Sequence, residues 1–300
     1  MAEESKGFAL SELSASLANL VESTSKSVVA IEGSHRRGGA SGFVWRENLV
    51  VTAEEALGRH DEADVAFEDR QYRAAIVGRD PSTDIAVLRV EGLAAPPLPL
   101  SPSVLPRMGA IVLAVGRRNG RPAARFGIVS QTGPAWRSLR GGQIDSMIRL
   151  DLALEGRSEG APAIDSEGRV FAMAVRGPRR SVLGIPAATI ERIAARILEK
   201  GSIRPGYLGL GLHPVRINAK EGETQVGLMV LGVAEGGPGQ AAGILQGDVI
   251  IAWNSEPITG MRDIVRRLSP DAVGQTAEIG LKRAGQLLTV RCLIGARPAT

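Results

Sequence analysis

Three hundred residues, 44% of them hydrophobic and 23% charged, supply about two globular domains with their own cores and exclude disorder as the organising state. A net charge of +4 and an isoelectric point near 9.6 raise nucleic acid or anionic lipid as partners. The basic residues are scattered arginines, and aromatic residues for base stacking make up only 3%, so nucleic acid is not expected.

The first residues, MAEESKGFALSELSASLANL, begin with acids and hold no unbroken apolar stretch. Neither a signal peptide nor a membrane span is expected there, and the reading is a cytoplasmic protein. The single cysteine, Cys292, can close no internal disulfide, which leaves the fold to its core. Leu10, Leu13, Leu17, Leu20 and Val21 recur at helical spacing and predict one short amphipathic helix, with Ser11 as candidate N-cap, in an N-terminal segment spanning 1–26.

From Ser27 the pattern becomes short apolar runs separated by Gly, Pro, Asp and charged turns: SVVAIEG, SGFVW, NLVVTA, ADVAFED, RAAIVGRD, DIAVLRV, AIVLAVG, RFGIVSQ, MIRLDLAL, RVFAMAV and SVLGIPA. These read as strands. TIERIAARILEK is a helix stopped by Gly201, which closes a strand-rich domain over 27–200. Residues 201–205 form a linker with Pro205 beside Gly206. A smaller mixed domain then covers 206–300, with strands in YLGLGL, QVGLMVLGV, DVIIAWN, TAEIGLKR and QLLTVRCLI and helices in GPGQAAGILQ and MRDIVRRL. The fold class is mainly β. The arginine cluster Arg176, Arg179 and Arg180 reads as a solvated loop.

Three phrases in the first domain carry chemistry: ASGFVWRENLVVTAEEAL, DPSTDIAVLRV and DLALEGRSEGAPAIDSEGRVFAM, supported by AVGRRNG, FGIVSQTG and VLGIPAATIERI. In this order and spacing they resemble the HtrA (Deg) family of trypsin-like serine proteases. The resemblance implies a trypsin-like double β-barrel. It also implies a serine nucleophile activated by a histidine that an aspartate orients, beside backbone N–H groups that hold an oxyanion.

Matched residue by residue, Asp84 falls on the orienting acid and Ser158 on the nucleophile, with Gly156 and Ser158 at the oxyanion hole. Glu55 stands where the family has histidine. A carboxylate is a weaker base than imidazole, and Asp84 adds like-charge repulsion. The three histidines, His35, His60 and His213, all lie outside the motif. Glu159 replaces the usual glycine after the nucleophile. A carboxylate ~6 Å from the oxyanion would oppose it by about 3 kcal/mol at an effective dielectric near 20, partly offset by Arg157. Loss of the histidine alone costs turnover on the order of a million-fold. Ser158 also reads as a small turn residue, and Asp84 as an acceptor of backbone donors.

The second domain resembles the PDZ domains of the same family, through Gly206-Tyr207-Leu208-Gly209-Leu210 and GPGQAAGILQGDVIIAWNSEPITGMRDIVRRL. The resemblance implies a glycine-permitted nest of N–H groups for a peptide's terminal carboxylate, with the peptide adding a strand at Leu210 to Leu212. Leu208, Leu210, Ile264 and Leu268 would line its side-chain pocket, with about half of these serving as plain core. Asp248 is expected as a structural acceptor. Neither a cofactor nor a metal site is indicated.

The leading expectation is therefore a chain that is not an enzyme: a degenerate HtrA-like protein that binds protein or peptide C-termini as a scaffold or assembly subunit. The alternative is an active serine endopeptidase using Ser158 with an unusual base. Relatives of this family form trimers through N-terminal aromatic residues, and Phe8 alone is present for that purpose. Another form of homo-oligomer stays open.

Overall fold

The computed structural model describes residues 2–32, 39–57, 61–118, 120–154, 158–218 and 224–298, with the side chains of 2–9, 218 and 224 outside the description. The chain divides into two units, Met1–Trp136 with Gln143–Ile203, and Arg137–Gly142 with Arg204–Thr300.

In the first unit, strands β1 (Val28–Glu32), β2 (Ala40–Arg46), β3 (Leu49–Thr52), β4 (Glu62–Phe67), β5 (Arg70–Asp80) and β6 (Ile85–Arg89) close a barrel in the order β1-β2-β3-β6-β5-β4. A second barrel contains β7 (Ile111–Arg118), β8 (Arg121–Gly133), β9 (Met147–Asp151), β10 (Ala161–Ile164), β11 (Val170–Arg176) and β12 (Val182–Pro186), in the order β9-β12-β11-β10-β7-β8. All pairings within both barrels are antiparallel.

Successive side chains on a strand face opposite ways, and here both faces are buried. Val29, Ile31, Val50 and Leu88 fill the first barrel, while their neighbours Val28, Val51, Ile85 and Val87 enter a second core shared with Leu113, Val115, Met173 and Val175 of the other barrel. Two-sided burial is why these strands read as unbroken apolar runs. The helix α2 (Ala187–Lys200) adds Ile190, Ile193 and Ile197 to the shared core and ends at Gly201, whose φ is +73°. Only glycine takes that conformation without strain.

Three elements depart from the expectations. The N-terminal helix, α1 (Ala2–Ser25), is much longer than predicted and places Ser11 in its interior, so Ser11 is no N-cap. Acids at its start favour the extension through the helix dipole. The strand β10 was hidden in the nucleophile phrase because it is short and contains Pro162. The helix expected across GPGQAAGILQ is one turn, α3 (Pro238–Ala241), since Gly243 turns left-handed at φ +75° just beyond it.

The second unit holds a sheet of β13 (Leu210–Asn218), β14 (Thr224–Val233), β15 (Val249–Trp253), β16 (Thr276–Arg283) and β17 (Gln286–Leu293), in that spatial order. It packs with α4 (Met261–Arg267) around Leu208, Leu228, Ile250, Ile264, Ile279 and Cys292. Among the described residues, no helix is long and apolar enough to cross a membrane.

Candidate active site and peptide groove

The first phrase leaves β3 at Thr52 and enters a 3-10 turn over Glu54–Ala56. That turn is tied to the second phrase: Glu54 N–H donates to the Asp84 carbonyl at 3.3 Å, and Glu55 N–H donates to Asp84 Oδ1 at 2.8 Å. Asp84 is presented by a rigid bend in which the Asp80 carboxylate accepts from Ser82 N–H at 2.9 Å and Thr83 Oγ1 at 2.7 Å. Its own φ is +59°, a left-handed conformation that aspartate tolerates better than most residues. Thus two of the sequence-predicted positions, Glu55 and Asp84, do meet.

Burial pushes the Asp84 carboxyl up to about 8, against the lowering effect of the Glu55 N–H, and the nearby charges of Glu55, Glu159 and Glu54 push it the same way as burial. Asp84 retains some accessible surface, so dense protein around it, not complete exclusion from water, sets this shift. It is mostly protonated at neutral pH. The Glu54 carboxylate lies 3.6 Å from Arg79, and both side chains are mostly buried. The Glu55 side chain is exposed.

Ser158 opens a turn in which its carbonyl accepts from Ala161 N–H at 3.2 Å, the Glu159 carbonyl accepts from Ser41 N–H at 2.8 Å, and Gly160 N–H donates to the Ala174 carbonyl at 2.9 Å. Ser41 is the hub. Its carbonyl also accepts from Thr52 Oγ1 at 2.8 Å, so one residue of β2 links the end of β3 to the nucleophile turn. Gly160 has φ +84°, and a Cβ there would come within 2.3 Å of the Ser41 carbonyl oxygen. Ser158 itself is only 5% exposed.

Glu159 is buried as well. Its carboxylate accepts from Arg176 N–H at 3.2 Å and lies 3.5 Å from Arg176 Nε. Arg176 therefore helps neutralise Glu159, and it is not simply part of a solvated loop. Its neighbours Arg179 and Arg180 are exposed, at φ +56° and +64°. Gly156, Arg157, His35 and His60 lie outside the described residues. His213 lies on β13, in the second unit.

Sequence reasoning missed three residues around the turn: Ser41, Gly116 and Arg117. A Cβ on Gly116 would meet Ser41 Oγ at 2.7 Å and Ser158 Cα at 3.4 Å, so only glycine lets β7 pass this close. Arg117 is 4% exposed. Its guanidinium donates to the carbonyls of Val28 at 2.7 Å, Gly120 at 2.7 Å and Ser25 at 2.8 Å, fastening the C-terminus of α1 to both barrels. The phrase AVGRRNG contained both Gly116 and Arg117 but named neither.

In the second unit, Tyr207 pairs with Gly295 in a short ribbon, and Gly209 takes φ +73°. The Leu208 carbonyl accepts from Gly239 N–H and the Gly209 carbonyl from Ala234 N–H, both at 2.7 Å. Among the described residues, the N–H groups of Leu208 and Gly209 donate no hydrogen bond. The next residue, Leu210, starts β13, an edge strand with one unpaired side. Leu208 and Ile264 are buried core, whereas Leu210 and Leu268 pack on that core and keep some surface. Asp248 accepts from Arg283 Nε at 2.7 Å and Leu245 N–H at 2.8 Å, a structural role. The Arg283 hydrogen bond is the main cause holding its carboxyl below the usual range.

Comparison with known proteins matches both folds. A family described as trypsin-like peptidase domain matches residues 40–173, and one described as PDZ domain matches residues 206–294. The chain is 30% identical over 277 residues to a probable periplasmic serine endoprotease DegP-like of Bartonella henselae, covering 87% of this chain and 53% of that relative. It is 31% identical over 275 residues to the same-named protein of Brucella suis, covering 86% and 52%. The chain thus spans about half the length of these curated relatives. Among solved structures it is similar to the HtrA-type protease AlgW with decapeptide, at TM-score 0.69, 23% identity and coverage of 94% and 98%. The serine endoprotease from Yersinia pestis gives TM-score 0.69, 23% identity and coverage of 93% and 97%.

These names correct two expectations. Relatives along most of the chain are serine endoproteases, which overturns the reading of a chain that is not an enzyme. They are periplasmic, which overturns the cytoplasmic reading; a compartment is specified by targeting signals, and neither core carries that information. With two barrels, a nucleophile turn between them and a PDZ sheet matched in order, the chain belongs to the HtrA (Deg) family of trypsin-like serine proteases that carry a PDZ domain.

Proposed function

We propose that the chain is an HtrA-type serine endopeptidase in which Ser158 is the nucleophile and the carboxyl pair Glu55 and Asp84 replaces the histidine. The carrying observation is the hydrogen-bonded link from Glu55 to Asp84 on one side, and from Thr52 through Ser41 to the Ser158 turn on the other. A protonated Asp84 is neutral and can donate a hydrogen bond to a neighbouring carboxylate instead of repelling it. Glu55 then accepts the Ser158 proton as Oγ attacks the peptide carbonyl, and N–H groups of the turn, with Gly156 and Ser158 as the assigned pair, hold the oxyanion. The functional segments are the N-terminal helix within 1–26, a catalytic domain over 27–200, a linker over 201–205 and a peptide-binding domain over 206–300.

The PDZ unit captures peptide or protein C-termini. The unengaged N–H groups of Leu208 and Gly209 suit a terminal carboxylate, with Tyr207 flanking them, and the open edge of β13 at Leu210 suits an added strand beside Ile264 and Leu268. Its relatives are named as periplasmic, which supports the same compartment for this activity. A second reading, a scaffold or assembly subunit that holds its peptides, is favoured by the 5% exposure of Ser158.

The test is labelling by a fluorophosphonate probe together with cleavage of unfolded casein. We expect slow labelling and cleavage, both absent in Ser158→Ala and both falling as pH rises through about 8, where Asp84 loses its proton. Labelling that persists in Ser158→Ala, or is absent throughout pH ~5–9, would favour the holding role.

A further inference from the structure

We propose that Glu159 sets the substrate class of this site by taking the cationic side chain of a lysine or arginine, and that Arg176 occupies that position in its absence. Glu159 directly follows the nucleophile, and its side chain is 6% exposed. A buried carboxylate is costly unless its oxygens are well paired. Among the described residues its pairing is weak: 3.2 Å to Arg176 N–H and 3.5 Å to Arg176 Nε, both longer than the 2.7–2.9 Å typical of charge-assisted bonds.

The partner is replaceable. Arg176 ends β11 with its side chain 37% exposed, so its guanidinium can return to water when a second cation arrives. That exchange leaves no buried charge alone, and a substrate guanidinium or ammonium free to align can form shorter bonds than the tethered Arg176.

The surrounding charges favour the same class. Glu55, Glu54 and Glu159 all lie within electrostatic reach of Asp84, and Glu54 is answered by Arg79. A cation entering beside Ser158 moves into negative potential, whereas a carboxylate would meet repulsion. A neutral side chain leaves the Glu159–Arg176 pair intact and gains nothing from it.

This inference rests on the endopeptidase reading only for what happens after binding, so it is tested by binding. The full chain would be titrated with p-aminobenzamidine, whose fluorescence reports capture of an aromatic cation. Four peptides identical except for one Lys, Arg, norleucine or Glu would then compete with it. The Lys and Arg peptides should bind about tenfold more tightly than norleucine and more tightly still than Glu. Arg176→Ala should tighten amidine binding several-fold by removing the internal competitor. Glu159→Gln should abolish the preference, while Glu159→Asp, which keeps the charge, should retain part of it even if the amide variant folds poorly.

Equal binding of all four peptides, or no effect of Arg176→Ala, overturns the proposal. Tightest binding of the Glu peptide also overturns it and assigns the cleft to Arg176, Arg179 and Arg180. Cation capture without fluorophosphonate labelling would sink the catalytic reading and leave this one standing. Labelling without cation preference would do the reverse.

Discussion

The two units use different parts of the polypeptide for their chemistry. The nucleophile region of the barrels depends on side chains, and there the sequence departs from its family at Glu55 and Glu159. The loop proposed to take a carboxylate depends on main-chain N–H groups beside a left-handed glycine, Gly209, and there the family pattern is kept. Proton transfer requires one residue type at one place, so a single replacement changes the chemistry. An amide nest requires only a backbone path, which tolerates change in most of the side chains around it.

The largest test of this contrast is Glu55→His. If side-chain identity limits the barrel site, restoring imidazole should raise casein turnover by about a thousandfold, within the range attributed to a positioned general base. Peptide affinity of the PDZ unit should not move. An unchanged rate would mean that something other than the base is limiting, with the buried Ser158 the first suspect.

Arg117→Met comes next, now on stability. It strands the carbonyls of Ser25, Val28 and Gly120 and should cost about 3 kcal/mol, read as a lowered midpoint in urea. Gly160→Ala should cost about 2 kcal/mol, because φ is +84° and the new Cβ would collide with the Ser41 carbonyl. Labelling at Ser158 should fall with it. Gly209→Ala, at φ +73° and with the nearest heavy atom 3.3 Å from the new Cβ, should cost only about 1 kcal/mol of stability. It should nevertheless weaken capture of a peptide C-terminus, measured by fluorescence anisotropy, because the amides turn away.

The remaining test concerns pH. Asp84 has a folded pKa of about 8 against an ordinary value of 3.8, so the folded state holds a proton that the unfolded chain releases between those values. Native stability therefore falls as pH rises across that window and levels off above it. Asp84→Asn should flatten this dependence in urea titrations at pH 5, 7 and 9; an unchanged slope would show that Asp84 is ionised throughout.

Much was legible in the residues. Apolar runs at strand length marked nearly every barrel strand, because burial on two faces removes polar residues from both. Gly201 announced the end of α2, since few residues other than glycine take that conformation. Matching the motif phrases singled out Glu55, Asp84 and Ser158, and a main-chain loop such as the one at Leu208 and Gly209 is visible wherever its glycines are. What periodicity could not show was the length of α1, whose first residues, AEESKG, carry little apolar pattern, or β10, too short to establish a pattern.

What the sequence determined alone was the class of the fold, the order of its parts and the identity of the departures at Glu55 and Glu159, because these depend on local pattern and on position within a motif. The tertiary structure decided where the charges end. Glu159 faces Arg176, a residue 17 positions away, Asp84 holds its proton because the fold buries it, with carboxylates from separate segments adding to the effect, and Ser41 joins two strands to the nucleophile turn. Electrostatics and close packing depend on distance through space, and residues far apart in the chain acquire those distances only when the barrels close.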